Sequence, residues 1–589
     1  MSEGYAAQPE SESDIDLDED IDLVESQLNT HNSVHDRTQF ESKFDFEMTT
    51  ARDDQKSFEV DMYVFFPKTM GVSSESYPRE AFYGDITHLL RVRTPEVKRG
   101  RGGAFFTPRL SAVEEYFKAH LDTVNRQRLS HLVVHDTKLF GCLVYTELKR
   151  VQSDLRRVIK RANSTQNPEL VVRFQTRLMS RVESVHAAIR EYRQGYVWRL
   201  KTEPLLVDEE VRRALLLVDE YLSYRLESAL IVLHRLVAPF GGETEDLQHQ
   251  VEALLTGELA YRQDHVQAAA AHQQARVENH YYRLGLLKKY VSEVLFLQTQ
   301  RINKDYVYRN FIAAFGAALA AAFAILTNVQ TARMVLERED IGLRLLTVTV
   351  LGVIAYVFKD RIKDVTKDYF NSRLKSWMPD FDVQMFYTHF DSAGRSEKVY
   401  LGSSQELVRY LQRSSIPPDI DYLREIGHRT ELEPERLETV LHYNKRMRFE
   451  VQQAVQEHFG QAQVKRIHDV LRFDISHFLA KLADPQKRLS YFSPDQGIVT
   501  TEAPRVYHLN LVFRYRVSNW LDGKICKRVT DYERLRVILN KQGIVRVESV
   551  VPRGELGHEE QDESAMRSDL LPLLLLPRPA RLMPIRTGL

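Results

Sequence analysis

Apolar residues recur every three or four positions between residues 110 and 305, which is the period of an amphipathic α-helix. The three clearest stripes cover residues 144–158, 171–192 and 211–237, and each stripe leaves the opposite helix face charged. Pro239 and the glycine pair after it end the third stripe. Several long amphipathic helices in series are typical of an antiparallel bundle, which we predict over residues 108–305.

A strand pattern precedes this bundle. The sequence SFEVDMYVFF (57–66) is rich in β-forming residues and ends at Pro67. It lies in a strand- and loop-rich segment, 56–107, that closes with the basic, glycine-rich motif KRGRGG (98–103). The motif offers cations and backbone N–H groups to a phosphate, but the chain lacks the Walker pattern, so a flexible loop is the simpler interpretation.

Mixed patterns follow in the C-terminal half. The sequence VYHLNLVFRYRV (506–517) alternates like a strand, whereas DYERLRVILNKQG (531–543) and the stretches 434–457 and 463–483 indicate helices. We therefore predict an α+β region over 380–550. The sequence leaves open whether the strand near residue 60 joins the sheet of that region.

Two long apolar runs separate these halves. The run FIAAFGAALAAAFAIL (311–326) has no charged side chain, and the run IGLRLLTVTVLGVIAYVF (341–358) is broken only by Arg344. Runs of this length match the hydrocarbon layer of a bilayer, which is about 30 Å thick. We predict a transmembrane helical hairpin over 306–360, and the alternative is a hydrophobic hairpin buried within a large soluble protein.

Positive charge flanks the two runs on their outer sides. Lysine and arginine are more frequent before the first run and after the second than in the linker between the runs. This asymmetry predicts that both ends of the hairpin lie in the cytoplasm. A basic juxtamembrane helix is expected over 361–379. The predicted location is a bacterial inner membrane, with both termini cytoplasmic and the lipid bilayer as a partner.

Small residues within the runs suggest helix packing. Gly316 and Ala320 form a small-xxx-small pair in the first run, and Gly352 gives the second run a point of close approach. Such surfaces pack helices in lipid, either within one hairpin or between copies of the chain, so a homo-oligomer is expected. The alternative is that these residues are apolar filler.

The terminal segments and the composition bound the remaining possibilities. Residues 1–55 and 551–589 are predicted to be disordered tails, the first of them acidic. The chain of 589 residues has a net charge of −1, so no specific nucleic-acid partner is predicted. Its two cysteines, Cys142 and Cys526, exclude a disulfide framework and indicate a reducing compartment.

Patterns for metal binding and catalysis are weak. DIDLDEDIDLVE (14–25) has the acidic spacing of a calcium loop, but glutamate stands where the turn requires glycine. Two pairs have metal-ligand spacing, although the second lacks the matching Glu-x-x-His that a di-metal bundle needs. These pairs are His131 with His135 and Glu183 with His186. We predict no catalytic residue, metal ligand or cofactor.

The predicted fold class is a membrane-anchored multidomain protein with three parts. These are a mainly α N-terminal region built as an antiparallel helical bundle, a two-helix transmembrane hairpin, and a C-terminal α+β region. Without a catalytic motif, we predict a scaffold, sensor or coupling protein at a membrane, with a cytoplasmic protein as a further partner. The alternatives are a membrane-anchored enzyme with an unrecognised site, or a pore-forming or transport-associated effector.

Overall fold

The structure of the protein is a computed structural model. The acidic segment 14–25, which has the spacing of a calcium-binding loop, and the KRGRGG motif lie outside the residues that it describes. The described residues are 28–47, 55–94, 111–118, 123–167, 169–202, 207–265, 273–302, 305–336, 341–374, 379–390, 395–426, 438–449, 466–521, 524–556 and 558–560.

Fifteen strands are described, and all of their pairings are antiparallel. Their bounds are β1 (Leu28–Val34), β2 (Gln39–Glu47), β3 (Gln55–Pro67), β4 (Ile86–Val92), β5 (Gln298–Ile302), β6 (Phe381–Phe390), β7 (Ser396–Leu411), β8 (Glu438–Phe449), β9 (Arg466–Asp474), β10 (Gln486–Ser493), β11 (Gly497–Pro504), β12 (Tyr507–Leu521), β13 (Lys524–Asn540), β14 (Gly543–Val551) and β15 (His558–Glu560). Nine of them form the main sheet, in the order β14-β13-β12-β3-β8-β7-β6-β5 with β15 on β13.

Strand β3 lies in the middle of the main sheet, between β12 and β8. This placement answers the question that the sequence left open, because the strand near residue 60 does join the C-terminal strands. Its alternate residues Phe58, Val60 and Met62 are buried in the main core. The sheet therefore unites segments that are far apart in sequence.

A second sheet covers one face of the main sheet. Its order is β1-β2-β9-β4, and β10 and β11 form a separate two-stranded hairpin. Aromatic rings fill the space between the two sheets, where Phe46 lies 5.0 Å from Phe58 and 5.9 Å from Phe449, measured between ring centroids. Strands β1 and β2 lie within the predicted tail 1–55, and β15 lies within the predicted tail 551–589. Both predicted tails therefore contain strands among the described residues, and Phe40, Phe44 and Phe46 of β2 are buried.

In sequence, the described helices lie between β3 and β14 of the main sheet. Their bounds are α1 (Arg79–Asp85), α2 (Ser111–Lys118), α3 (Thr123–Thr165), α4 (Glu169–Tyr192), α5 (Arg199–Thr202), α6 (Glu209–Val237), α7 (Glu245–His265), α8 (Gln273–Ser292), α9 (Asp305–Leu336), α10 (Ile341–Leu374), α11 (Pro418–Glu425) and α12 (Ser476–Leu479). Helix α3 packs against α4, α6 and α8. The apolar stripes are buried there, as Val144, Leu178 and Leu222 show, so the predicted helical content is confirmed.

The bundle and the two sheets share one hydrophobic core. Buried residues of α3 and α6, such as Leu139 and Leu226, belong to the same contiguous cluster as Phe58 of β3 and Leu511 of β12. A single core of this extent means that the helical and the mixed segments pack as one body.

The predicted fold class is wrong because it includes a two-helix transmembrane hairpin. Helices α9 and α10 pack against each other, but among the described residues one stretch, Asn310–Gln330, is long and apolar enough to cross a bilayer. The apolar run 341–358 is only the first part of α10, a helix of 34 residues that continues through a strongly charged segment to Leu374. The findings therefore do not support a membrane-anchored protein built on a hairpin over 306–360. What they support is helical content together with large antiparallel sheets.

Candidate functional site

Alternation along β3 places polar side chains on the outer face of the main sheet. Because Phe58 and Val60 point into the core, Glu59, Asp61 and Tyr63 point to the opposite face. At one end of this face, Tyr63 joins a small apolar cluster that α11 covers. The polar side chains lie beside that cluster.

The strand register aligns these side chains with neighbours on β12, β8 and β7. Three rows cross the strands in the order β12, β3, β8 and β7, and together with Pro379 most of their members line a cleft of about 370 Å³. The rows are Arg516, Glu59, Arg446, Gln405; Arg514, Asp61, Asn444, Leu407; and Val512, Tyr63, His442, Arg409.

Asp61 forms the floor of the cleft and is only 1% exposed. Its Oδ1 lies 2.7 Å from His442 Nε2 and accepts a hydrogen bond of 2.8 Å from Asn444 Nδ2. Its Oδ2 accepts bonds of 3.0 Å from Arg514 Nε and from Arg516 Nη2. Burial alone would raise the pKa of Asp61, but the bond from His442 and the charges of the two arginines hold that pKa well below its usual range.

Tyr63 and its neighbours close one end of the cleft. The Tyr63 ring stacks on the His442 ring, with centroids 4.3 Å apart, and its hydroxyl accepts a bond of 3.1 Å from Arg514 Nη2. Burial, and then the negative charge of Asp61, raises the pKa of Tyr63. Asp419 of α11 pairs with Arg514 at 3.2 Å and accepts a bond of 2.9 Å from the Tyr532 hydroxyl. Helix α11 thus fixes this wall to the sheet.

Positive charge exceeds negative charge around the cleft. Its lining holds four guanidinium groups but only two carboxylates, those of Glu59 and Asp61. Arg446 and Arg516 both pair with Glu59, at 3.0 Å and 2.9 Å. Within the described part of the chain, the buried Nε atoms of Arg409 and Arg516 have no hydrogen-bond acceptor. The positive charge of the cleft is therefore not fully balanced by the residues that the structure describes.

The pKa shifts in the cleft favour ligand binding over proton transfer. The pKa of Asp61 is lowered, that of Tyr63 is raised, and that of Arg514 is raised because the charge of Asp61 outweighs the effect of burial. The lowered pKa of Asp61 and the raised pKa of Arg514 keep both groups charged, and the raised pKa of Tyr63 keeps its hydroxyl neutral, whereas a general acid or base works best with a pKa near the operating pH. Asp61 and Arg514 therefore serve as fixed charges, and Tyr63 serves as a neutral hydrogen-bonding group.

A second polar network lies on the other face of β8, between the two sheets. Lys445 is fully buried, and its Nζ donates a bond of 2.6 Å to Asp469 Oδ2 and lies 2.9 Å from His88 Nδ1. The Tyr443 hydroxyl lies 2.9 Å from His88 Nε2. Burial would raise the pKa of Asp469, but the Lys445 and His88 charges lower it. This network holds β9 and β4 against β8 and is enclosed from solvent.

The helical region has a buried ionic network of its own. Helix α4 ends in a π-helical turn, Arg193–Val197. Arg193 donates bonds of 2.7 Å and 2.8 Å to both oxygens of Glu258 and one of 2.7 Å to Asp219. Each of its nitrogen atoms has an acceptor and its side chain is only 9% exposed, so this arginine ties α4 to α6 and α7 inside the helical region.

The two residue pairs that have metal-ligand spacing in the sequence do not form a metal site in the structure. His131 is exposed and lies 3.8 Å from Glu210, whereas His135 is buried, with its Nδ1 3.2 Å from Asp136 and its Nε2 3.1 Å from the Tyr387 hydroxyl. The other pair, on α4, consists of an exposed glutamate and a partly buried histidine. Within the described residues, no group of three metal-ligating side chains could hold an ion.

The predicted packing residues lie in different surroundings. Gly316 and Ala320 are on the buried face of α9, with Ile312 one turn earlier. Gly352 on α10 is exposed, and an added Cβ there would meet nothing within 4 Å. Their proposed role in packing between membrane helices stays a prediction. Of the two cysteines, Cys142 is buried in the core, and burial raises the pKa of its thiol to about 12.

Helix α9 exposes a large apolar surface outside the core. Within the 21 residues Asn310–Gln330, the most apolar window is only 17% buried. The exposed side chains on this stretch include Phe311, Phe315, Leu319, Ile325, Leu326 and Val329. Exposed apolar surface of this kind is typical of sites that contact another protein or a membrane.

Sequence reasoning missed the cleft, although part of its signal was visible. The motifs FEVD and RYR place Glu59 with Asp61 and Arg514 with Arg516 at alternate strand positions, where a half-buried strand normally has only scattered charges. His442 and Arg446 gave no such signal because their segment was predicted to be helical.

The chain matches no protein-family model, and the comparisons with curated proteins and with solved structures find no significant match. The function therefore has to be argued from the geometry of this chain alone.

Proposed function

We propose that the protein is a non-enzymatic scaffold or sensor whose α+β body is held at a lipid bilayer by helix α9. The observation that carries this proposal is the exposed apolar stretch Asn310–Gln330. At about 1.5 Å per residue, its 21 residues extend roughly 30 Å, close to the thickness of the hydrocarbon layer. A bilayer would cover the side chains that the body leaves in water.

The main sheet restricts how α9 could enter a bilayer. Strand β5 precedes α9, strand β6 follows α10, and the two pair along Gln298–Ile302. Both ends of the segment between them are therefore fixed to one sheet, so α9 would meet the apolar layer from the side on which the sheet lies. Arg301 before the segment and the cations after residue 358 favour the cytoplasmic side. The bacterial inner membrane, the cytoplasmic termini, self-association and a cytoplasmic protein partner stay predictions.

The test is flotation of the full-length protein with liposomes of phosphatidylcholine and phosphatidylglycerol. We expect the wild type to float and Leu319→Arg, at the middle of the apolar stretch, to remain largely in the bottom fraction. An arginine near the centre of a membrane helix costs roughly 3 kcal/mol on the insertion scale, on the order of 100-fold in partition.

The matched control is Leu259→Arg on α7, because Leu259 is 48% exposed and Leu319 is 41% exposed. This variant should float like the wild type. A wild-type protein that stays unbound, or equal loss in both variants, contradicts the proposal. A protein that stays unbound but elutes as a dimer would instead assign the cover of α9 to a second copy of the chain.

A further inference from the structure

The cleft on the outer face of the main sheet has the composition of an anion-binding site. Its four guanidinium groups come from three different strands, β7, β8 and β12, and line one volume of about 370 Å³. Volumes of roughly 300–1,000 Å³ are typical of small-molecule sites. The cleft is therefore large enough for a compact ligand with one or two charged groups.

Its arginines fall into two classes. Arg514 has a protein acceptor at each of its three nitrogen atoms, namely Asp61, Asp419 and the Tyr63 hydroxyl. Its role is to keep the floor of the cleft rigid. Arg409, Arg446 and Arg516 differ, because they surround the open part of the cleft and retain donors.

The retained donors can be identified. Arg446 uses Nε and Nη2 on Glu59, which leaves Nη1 for another acceptor, and its side chain is 54% exposed. Arg409 lines the cleft and its buried Nε has no acceptor among the described residues, so an anion would be contacted by its terminal nitrogen atoms. Burial, and then the nearby charge of Arg79, lowers the pKa of Arg409, although Asp380 opposes this effect. Its positive charge is thus incompletely balanced within the protein.

We propose that the cleft binds a small phosphorylated molecule, with Arg409, Arg446 and Arg516 as the groups that contact the phosphate. A phosphate dianion offers three oxygen acceptors, and guanidinium groups match that arrangement with paired N–H donors. A lone carboxylate would occupy only part of this donor set. Gln405 and Asn444 also line the cleft, and the Asn444 amide nitrogen donates to Glu59 and Asp61.

Phosphate binding in the cleft does not depend on a bilayer, because neither α9 nor its surroundings line the cleft. The test is isothermal titration of the full-length protein in non-ionic detergent at constant ionic strength. The probes are inorganic phosphate, glycerol 3-phosphate and acetate. We expect saturable one-to-one binding of a phosphate compound and none of acetate. Tighter binding of inorganic phosphate would identify the free anion as the ligand class, and tighter binding of the ester would identify an organic phosphate.

Charge-neutral variants identify the site. Arg409→Gln and Arg446→Gln should each weaken phosphate binding roughly tenfold or more, as expected for loss of a charge-assisted hydrogen bond. The matched control is Arg413→Gln, which removes the same charge from an exposed position four residues after Arg409 and outside the cleft. It should bind within about twofold of the wild type, since surface charges at such distances are largely screened.

Three results would overturn the proposal. The first is a wild type without saturable binding of either phosphate compound. The second is binding of acetate as tight as that of phosphate. The third is a loss in Arg413→Gln equal to that in the cleft variants. Circular dichroism of each variant checks folding, and the exposed Arg446 position provides the test if Arg409→Gln does not fold.

Discussion

Asp61 shows how a single residue can organise a sheet surface. A carboxylate that is almost fully buried would be costly without partners, yet here every lone pair faces a donor from β8 or β12. The same bonds set the positions of Arg514 and Arg516. Loss of this one charge should therefore affect both stability and the shape of the cleft.

We predict that Asp61→Asn lowers the free energy of unfolding by about 3 kcal/mol at pH 7, as is typical when one partner of a buried ion pair is removed. Urea unfolding followed by circular dichroism measures this loss. Asp484→Asn is the control, because its pair with Lys541 is at the surface, with 84% of the Asp484 side chain exposed. It should cost less than about 1 kcal/mol. Equal losses in the two variants would contradict the assigned role of Asp61.

The pH dependence follows from the same carboxylate. Its pKa is lowered in the folded protein, so Asp61 contributes stability above its unfolded pKa of about 3.9, and that contribution is lost as the pH falls. The wild type should therefore lose stability more steeply than Asp61→Asn on acidification below about pH 5. Parallel curves for the two proteins would show that Asp61 is not ionised in the fold.

Two glycines beside hairpin turns both have a positive φ, but only one of them is crowded by neighbouring atoms. Gly543, at the start of β14, has φ +138°, and an added Cβ would lie 2.2 Å from the carbonyl oxygen of Arg37. That oxygen accepts a bond of 2.6 Å from the Ile544 N–H, which links the loop between β1 and β2 to the main sheet. Gly497, at the start of β11, has φ +70° and nothing within 4 Å.

We predict that Gly543→Ala destabilises the protein by about 3 kcal/mol, because backbone strain adds to a steric clash with the other sheet. Gly497→Ala should cost only about 1 kcal/mol, for the left-handed backbone alone. Thermal or urea unfolding of the two variants provides the comparison. If Gly497→Ala is the more harmful change, the contact between the Arg37 loop and β14 is not a determinant of stability.

The elements that sequence reasoning assigned wrongly share one physical property. Segment 531–543 was predicted to be a helix but lies mostly in β13, and 434–457 contains β8 instead of a helix. Strand β13 is buried on both faces, with Leu535 and Val537 in the main core and the fully buried Arg534 on the opposite face. Burial on both sides removes the alternation that marks a strand.

The sequence predicts the cleft only in part, because the cleft depends on the pairing of strands that are distant in sequence. The sequence places Glu59 and Asp61 on one face of β3, and Arg514 and Arg516 on one face of β12. It does not state that these two strands pair, because the register joins segments about 450 residues apart. Side-chain alternation fixes which residues share a face, whereas long-range register decides which faces meet.

The shared core makes a prediction about the cooperativity of the whole molecule. Cys142 on α3 is buried in the same cluster as Phe58 and Leu511 of the main sheet, and its pKa of about 12 suppresses the reactive thiolate at pH 8. In a Cys526→Ser background, a thiol reagent should leave native Cys142 unmodified. Modification should then rise with urea at the same midpoint as loss of the β-sheet signal in circular dichroism, as expected for one cooperative unit. Labelling of Cys142 at a clearly lower urea concentration would mean that the helical region opens independently of the sheets.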